Sequence, residues 1–208
     1  MITVWGRTNS TNVKKVRWCL AELGMDYQLI ETGGNFGGNH SASYLAMNPN
    51  GLVPCLKDSA TDLVLWESNA IVRYLAAQYG QPLLWPESAA ERACGDKWMD
   101  WVCSSFTAPF RGVFISLVRT APEARDAQLI ARSTQECQAL FAIMDAALAH
   151  QPWLSGEQFG PGDIAAGPTL YGLLNLEVAW GEYPHLQRWY QQLTRRPAFR
   201  ETVMLPLS

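Results

Sequence analysis

The stretch that decides the fold is NPNGLVPCLKDSATDLVLWESNAIVRYLAAQYG, Asn48–Gly80. Within it, "LVPCLKD" and "DLVLW" each read as a short apolar strand, and the polar turn "DSAT" joins them as a hairpin. The segment "ESNAIVRYLAAQYG" then reads as a helix, with Ile71, Tyr74, Leu75 and Tyr79 on one face and Gly80 as its stop. Toward the N-terminus the pattern alternates. "YLAMNPNG" is a short helical turn ended by Asn-Pro, "TGGNFGGN" is a Gly-rich loop, and "YQLIE" is a strand. Before it, "NVKKVRWCLAEL" places Val13, Val16, Leu20 and Leu23 at helical spacing ahead of Gly24, and "ITVW" opens the chain as another strand. The order β-α-β, then loop and short helix, then β-β-α, predicts an α/β unit over residues 1–80.

Beyond Gly80 the character changes. "GQPLLWPES" has prolines and no periodicity, so residues 81–88 read as a linker. From Ala89 the pattern is helical: Ala89–Leu117, Glu123–His150, Asp163–Trp180, His185–Arg195 and Pro197–Val203. Residues 89–208 are therefore expected to form an all-α domain, and the fold class is α/β followed by all-α.

Composition narrows the function. Charged residues make up only 17% and the net charge is −3, which lacks the basic footprint of a nucleic-acid binder. At 48% hydrophobic the 208 residues can bury a sizeable core, and nine Trp supply large surfaces for pocket walls or interfaces. No unbroken run approaches the ~18–20 apolar residues of a membrane span, and "MITVWGRTNS" lacks the apolar core of a signal peptide. The five Cys (Cys19, Cys55, Cys94, Cys103, Cys137) show no CxxC and no ligand spacing, so no metal is expected. They read as buried free thiols of a cytoplasmic protein.

Three features could carry chemistry. A Pro within "LVPCL" interrupts a strand ladder, as an edge strand with a trans Pro or as a cis Val-Pro bond at a strand start. The cis bend would leave the backbone of Val53 free to pair with an extended, peptide-like ligand. Next, Glu67 and Ser68 open a helix. They either cap it or hold a zwitterion, the helix terminus and hydroxyl taking a carboxylate while Glu67 takes an ammonium. Finally, "GRTNSTN" places Thr8, Asn9, Ser10, Thr11 and Asn12 before the first helix. These residues either cap that helix or hydrogen-bond a bound thiolate and favour its ionised form.

Taken together and in this order, "NPNGLVPCL" and "ESNAIVRYLA" on this scaffold resemble the Asn-Pro-x-Gly-x-Val-Pro-x-Leu and Glu-Ser-x-Ala-Ile segments of the cytosolic glutathione transferases. The resemblance covers the whole chain. It implies a thioredoxin-like N-terminal domain that binds glutathione as co-substrate, an α-helical C-terminal domain that supplies most of the electrophile site, and a homodimer. By the same resemblance, Pro54 is the cis-proline, Val53 pairs with the cysteinyl part of glutathione, and Glu67 with Ser68 holds its γ-glutamyl group. Ser10 matches the catalytic Ser of the pattern Ser-x-Pro-Cys-Arg-x-Val, in which Asn12 replaces Pro and Val13 replaces Cys. Asn12 and Thr11 are the next candidates for the sulfur. His40 and the Gly-rich loop are candidates for the glycyl carboxylate, and Phe36 could wall the sulfur side.

Asp163 matches the Asp of the family's helix-capping Thr-x-x-Asp, with Gly160 in place of Thr, and is expected to be structural. Phe106, Arg111, Phe114 and Ile115 are spaced to line the electrophile pocket. If Arg111 or Arg119 faces that pocket it would favour acidic or polarised substrates; otherwise each is solvated helix surface. The function so implied is activation of the glutathione thiol for attack on a small electrophile, as in detoxification. Glutathione-dependent disulfide or peroxide reduction is the alternative, and a non-catalytic interaction module of the same fold is a third.

Overall fold

The computed structural model describes residues 1–208. Its sheet contains β1 (Ile2–Trp5), β2 (Tyr27–Ile30), β3 (Cys55–Asp58) and β4 (Leu63–Trp66) in the order β2-β1-β3-β4. β1 and β2 are parallel, as their connection through a helix allows, and the other pairs are antiparallel. Helices α1 (Thr11–Glu22), α2 (Ala42–Met47) and α3 (Ser68–Tyr79) complete the thioredoxin-like unit. α3 is tied to the sheet by Tyr74 and Tyr79, whose hydroxyls both donate to the buried Asp58 carboxylate.

"LVPCLKD" is not one strand. β3 begins only at Cys55, because Pro54 has no N–H to give the ladder and follows a cis bond from Val53. The preceding carbonyl, that of Leu52, is instead held from α2, by the Tyr44 hydroxyl at 2.5 Å and Asn48 Nδ2 at 2.7 Å.

The second half is helical. α4 (Ala89–Trp101) runs through a π-helical turn, Val102–Phe106, into α5 (Thr107–Phe114) and a second π-helical turn, Ile115–Arg119. The first carbonyl of each π turn is taken by a Thr hydroxyl five residues on: Thr107 to Val102 at 3.2 Å and Thr120 to Ile115 at 3.1 Å. An 18-residue window of Ala89–Arg119 reaches a mean hydropathy of 1.3, enough by length and composition for a membrane span although no unbroken apolar run is present. In the structure 33% of that window is buried, where α5 packs on α6 (Ala127–Leu148) and α4 on α7 (Pro161–Leu174).

α6 starts later than the expected Glu123, since Pro122–Ala124 forms a 3-10 turn and the Asp126 carboxylate caps the N–H groups of Gln128 and Leu129. α7 ends at Leu174, short of Trp180, whose indole N–H folds back onto the Leu173 carbonyl at 3.1 Å. α8 (Pro184–Arg195) and α9 (Pro197–Thr202) finish the chain's helices.

One contiguous apolar core joins the halves. It runs from Val4, Trp18, Leu56 and Leu75 to Met99, Phe141 and Leu170. α1 lies against both α3 and α7, so the N-terminus of α1 is held where sheet and helical half meet. At the start of α7, the buried Asp163 carboxylate accepts from the N–H groups of Leu154 (2.8 Å), Gly160 (3.0 Å) and Ser155 (3.3 Å) and from the Trp189 indole (2.7 Å). Burial pushes its pKa up while these four donors pull against it. The acceptor that Gly160 lacks comes from Ser155, whose Oγ takes the Gly162 N–H at 3.0 Å. A Cβ at Gly160 would stand 2.9 Å from that same Ser155 side chain, so a Thr does not fit beside it.

The expectation of five buried thiols is corrected. Cys19, Cys55 and Cys137 are buried, and burial pushes the last two up to about 11 and about 12. Cys94 and Cys103 are exposed, the first on α4 and the second in the π-helical turn that follows it.

Candidate active site

Two helix N-termini meet at one cleft. Asn12 from the first turn of α1, Val53 and Pro54 from the loop before β3, and Glu67 and Ser68 from the start of α3 all line it. Helix starts expose unpaired N–H groups, which side chains usually satisfy. At three other helix starts they do: Ser41 accepts from Tyr44 N–H, Ser88 from Glu91 N–H, and Asp126 from two amides. At the cleft they do not. Ser10 is the N-cap of α1 with backbone torsions fit for capping, yet its hydroxyl makes no cap bond. Glu67 is the N-cap of α3 and its carboxylate makes none either. The start of α3, at Glu67 and Ser68, and the first turn of α1, at Asn12, line the same space.

The backbone between them is also unspent. Val53 makes no backbone hydrogen bond through its N–H or its C=O. Its position comes from its neighbours, since Leu52 is held from α2 and Asn48, 2% exposed, also accepts from the N–H and side chain of Asn50. Glu67 holds a left-handed φ of 69°, which an L side chain rarely adopts, and forms no ion pair. Behind it, the buried Lys15 ammonium donates to Asn69 Oδ1 at 3.4 Å, while Asn69 Nδ2 donates to the Met99 carbonyl at 2.6 Å and Cys103 Sγ at 3.2 Å. Burial lowers the Lys15 pKa, and Cys103 and Glu67 act against that shift. This contact set ties the start of α3 to α1 and α4.

Of the side chains before α1, Ser10 is 8% exposed and Asn12 is exposed, whereas Asn9 is engaged by Arg7 Nη1 at 3.3 Å and by Ser208 Oγ. Thr8 and Thr11 are half-buried. His40 is exposed, with its ring packed on Gly51 at the loop edge of the cleft, and a Cβ at Gly51 would stand 2.8 Å from that ring. Asn39 Nδ2 bonds the Gly51 carbonyl at 2.6 Å and braces the same edge. Phe36 does not line the cleft. It stands 54% exposed on the 3-10 turn Gly34–Phe36, which the left-handed glycines on either side carry outward.

The helical half contributes fewer residues than its spacing suggests. Phe106 is fully buried against Trp101 and Phe141. Phe114 stacks on Phe110 with ring centroids 5.1 Å apart, and both rings meet Gly172 of α7. Arg111 and Arg119 are exposed, and Ile115 is half-buried at the start of the second π turn. Sequence reading missed Asn48, which lines the cleft, and Tyr44, Lys15 and Asn69, which brace the segments around it. The run "NPN" was the available signal for Asn48, since Asn side chains often close turns onto nearby backbone.

The chain matches the family models for the glutathione S-transferase N-terminal domain over residues 1–77 and C-terminal domain over residues 96–197. It is 58% identical over 208 residues, covering all of both chains, to glutathione S-transferase GstB of Escherichia coli (strain K12). It is 28% identical to the disulfide-bond oxidoreductase YfcG of the same organism, over 93% of this chain and 90% of that one. Among solved structures, a theta class glutathione S-transferase from Xanthomonas axonopodis pv. citri with glutathione bound superposes with a TM-score of 0.95 at 52% identity, over 100% of this chain and 99% of that one. With both family models matched and a full-length relative at this identity, the chain belongs to the glutathione S-transferase family.

Proposed function

We propose that this protein is a cytosolic, homodimeric glutathione transferase that joins glutathione to small electrophiles. The observation that carries the reading is a cleft lined by Asn12 from the first turn of α1, by Glu67 and Ser68 at the uncapped start of α3 and by the unpaired backbone of Val53, with the uncapped Ser10 two residues before Asn12. Glutathione is a peptide-like molecule with a zwitterionic end and a thiol, and each open group has a counterpart on it. The α3 N-terminus with Ser68 takes the γ-glutamyl carboxylate, and Glu67 takes its ammonium. Val53 pairs with the cysteinyl backbone. The loop edge at Asn39 and His40 lies toward the glycyl end. The Ser10 hydroxyl, with Asn12 and Thr11 beside it, donates to the sulfur and favours the thiolate. The thiolate forms a bond to an electrophilic carbon, and the leaving group departs with its electron pair. Leu52 and Trp66, 66% and 38% exposed beside the cleft, are apolar surface that a second subunit would cover.

Ser10→Ala tests this. A charge-assisted hydrogen bond is worth roughly 1.5–3 kcal/mol, so kcat/KM is expected to fall roughly 10–100-fold near neutral pH. The missing donor raises the thiol pKa, so the loss is greatest at low pH and shrinks above the free-thiol value of about 8.5. A flat loss across pH would assign Ser10 a structural role. The similarity to a disulfide-bond oxidoreductase and the exposed Asn12 favour a second reading, glutathione-dependent disulfide reduction. Full disulfide reduction by Ser10→Ala alongside lost conjugation would establish that activity.

A further inference from the structure

Behind the start of α3 lies a charge that the fold leaves almost unattended. Lys15, on α1, is 3% exposed. An ammonium carries three donors, and that of Lys15 makes one hydrogen bond, at 3.4 Å, to Asn69 Oδ1. It belongs to none of the ion pairs, which are Lys57–Asp62, Arg73 with Asp96 and Asp100, and Arg196–Glu22. It lies over no aromatic ring, whereas its neighbour Lys14 stands 4.9 Å from the centre of Tyr171. Taking a charge out of water is costly, so buried ammonium groups are normally paired. Burial accordingly disfavours the charged form of Lys15 and lowers its pKa.

Asn69 connects this group to the cleft. It is the second residue of α3, next to Ser68, which lines the cleft together with Glu67. Its side chain is fixed on every polar atom: Oδ1 accepts from Lys15, and Nδ2 donates to the Met99 carbonyl at 2.6 Å and to Cys103 Sγ at 3.2 Å. The Lys15 ammonium is thereby held against the first turn of α3. In that turn the N–H groups of Ser68, Asn69 and Ala70 have no backbone acceptor, and Glu67 does not cap them. The positive end of the helix and the Lys15 ammonium therefore act at one place, and both favour an anion there.

We propose that Lys15 is a positioning residue of the glutathione site, whose ammonium behind the first turn of α3 draws the γ-glutamyl carboxylate onto Ser68. The inference rests on the transferase reading and adds a residue to its binding site. The zwitterion meets charges of alternating sign, its ammonium at Glu67 and its carboxylate at the α3 start backed by Lys15. In the free protein the cost of burying Lys15 stands uncompensated. The arriving carboxylate offsets part of that cost, and the gain goes into affinity for glutathione. The interaction passes through protein, where salt screens it little. It acts at the end of glutathione remote from the sulfur, so it strengthens ground state and transition state alike and shows in KM more than in kcat.

The test measures, by calorimetry, binding of glutathione and of 4-aminobutyryl-cysteinyl-glycine, which lacks only the γ-glutamyl carboxylate. Lys15→Met and Lys15→Gln are each expected to weaken glutathione binding about ten-fold and binding of the analogue less than about two-fold. Lys15→Gln keeps an N–H donor for Asn69, so a loss common to both variants belongs to the charge and not to the hydrogen bond. Lys15→Arg keeps the charge and is expected to recover most of the affinity. Both uncharged variants remove a buried charge, and urea denaturation is expected to show them folded. In steady-state conjugation the loss is expected in the KM for glutathione far more than in kcat. Equal weakening for the two ligands, unchanged affinity for glutathione, or a loss that falls on kcat would overturn the role of Lys15 and leave the transferase reading standing. Absence of glutathione binding by the unaltered protein would overturn both.

Discussion

At the scale of single residues, the site is defined by groups left unspent. Ser10 and Glu67 occupy capping positions without capping, while Ser41, Ser88 and Asp126 cap their helices. Lys14 shows the cost of such a neighbourhood. It is 4% exposed with no acidic partner, and burial, followed by Arg17, lowers its pKa from 10.5 to about 8. The folded state therefore disfavours the charged form. Below about pH 8 both folded and unfolded Lys14 are protonated and the penalty is fully present; between about 8 and 10.5 the folded group gives up its proton first and stability rises. Lys14→Met is expected to be more stable than the parent by about 1–2 kcal/mol at pH 7, part of the penalty being offset by the Tyr171 ring. Urea denaturation at pH 7 and pH 10 should show that advantage shrinking at the higher pH; a constant gap would refute this account of Lys14.

Among the elements, α1 and α7 set the position of the catalytic end. They approach closely because Gly167 faces the Trp18 ring: a Cβ there would lie 2.6 Å from Cζ3 of Trp18 and 3.1 Å from the Phe199 ring. Trp18 cannot give way easily, since it is fully buried and its indole N–H is held by Glu22 at 2.8 Å. Gly167→Ala gains up to about 1 kcal/mol in helix propensity, yet overpacking of a fixed ring costs about 1–3 kcal/mol. The second effect should win, and thermal denaturation is expected to show a lower Tm. On the long helix, Phe106 packs into the core against Phe141, while Phe110 and Phe114 meet α7 at Gly172.

For the whole molecule, the question is whether two differently built halves behave as one. A shared core and ion pairs join them: Arg73 of α3 pairs with Asp96 and Asp100 of α4, and Arg196 Nε and Nη2 each reach a Glu22 carboxylate oxygen at 2.7 Å. The Glu22 side chain is only 9% exposed, so removing its partner strands a nearly buried charge. Breaking such a pair costs about 3–5 kcal/mol when fully buried, and Arg196→Ala is expected to lose about 2–4 kcal/mol because the arginine is partly solvated. Glu22→Gln added to that variant should restore part of the loss, which calorimetry of the double variant would measure.

The order of strands and helices, the open helix starts and the cleft residues around Val53 and Glu67 were legible in the sequence. Each depends on local chemistry: apolar period, turn residues, and the proline that cannot join a ladder. Three things were settled only by tertiary structure. Which helix faces are buried depended on the neighbouring helices, so Phe106 went inward while Cys94 and Cys103 stayed exposed. The bracing of Leu52 by Tyr44 and Asn48 joins residues whose roles appear only once α2 folds under the loop. The pairing of Arg196 with Glu22 joins residues 174 positions apart in the chain. Local chemistry is written along a sequence, whereas an ion pair of that reach exists only where the fold brings distant segments to the same place.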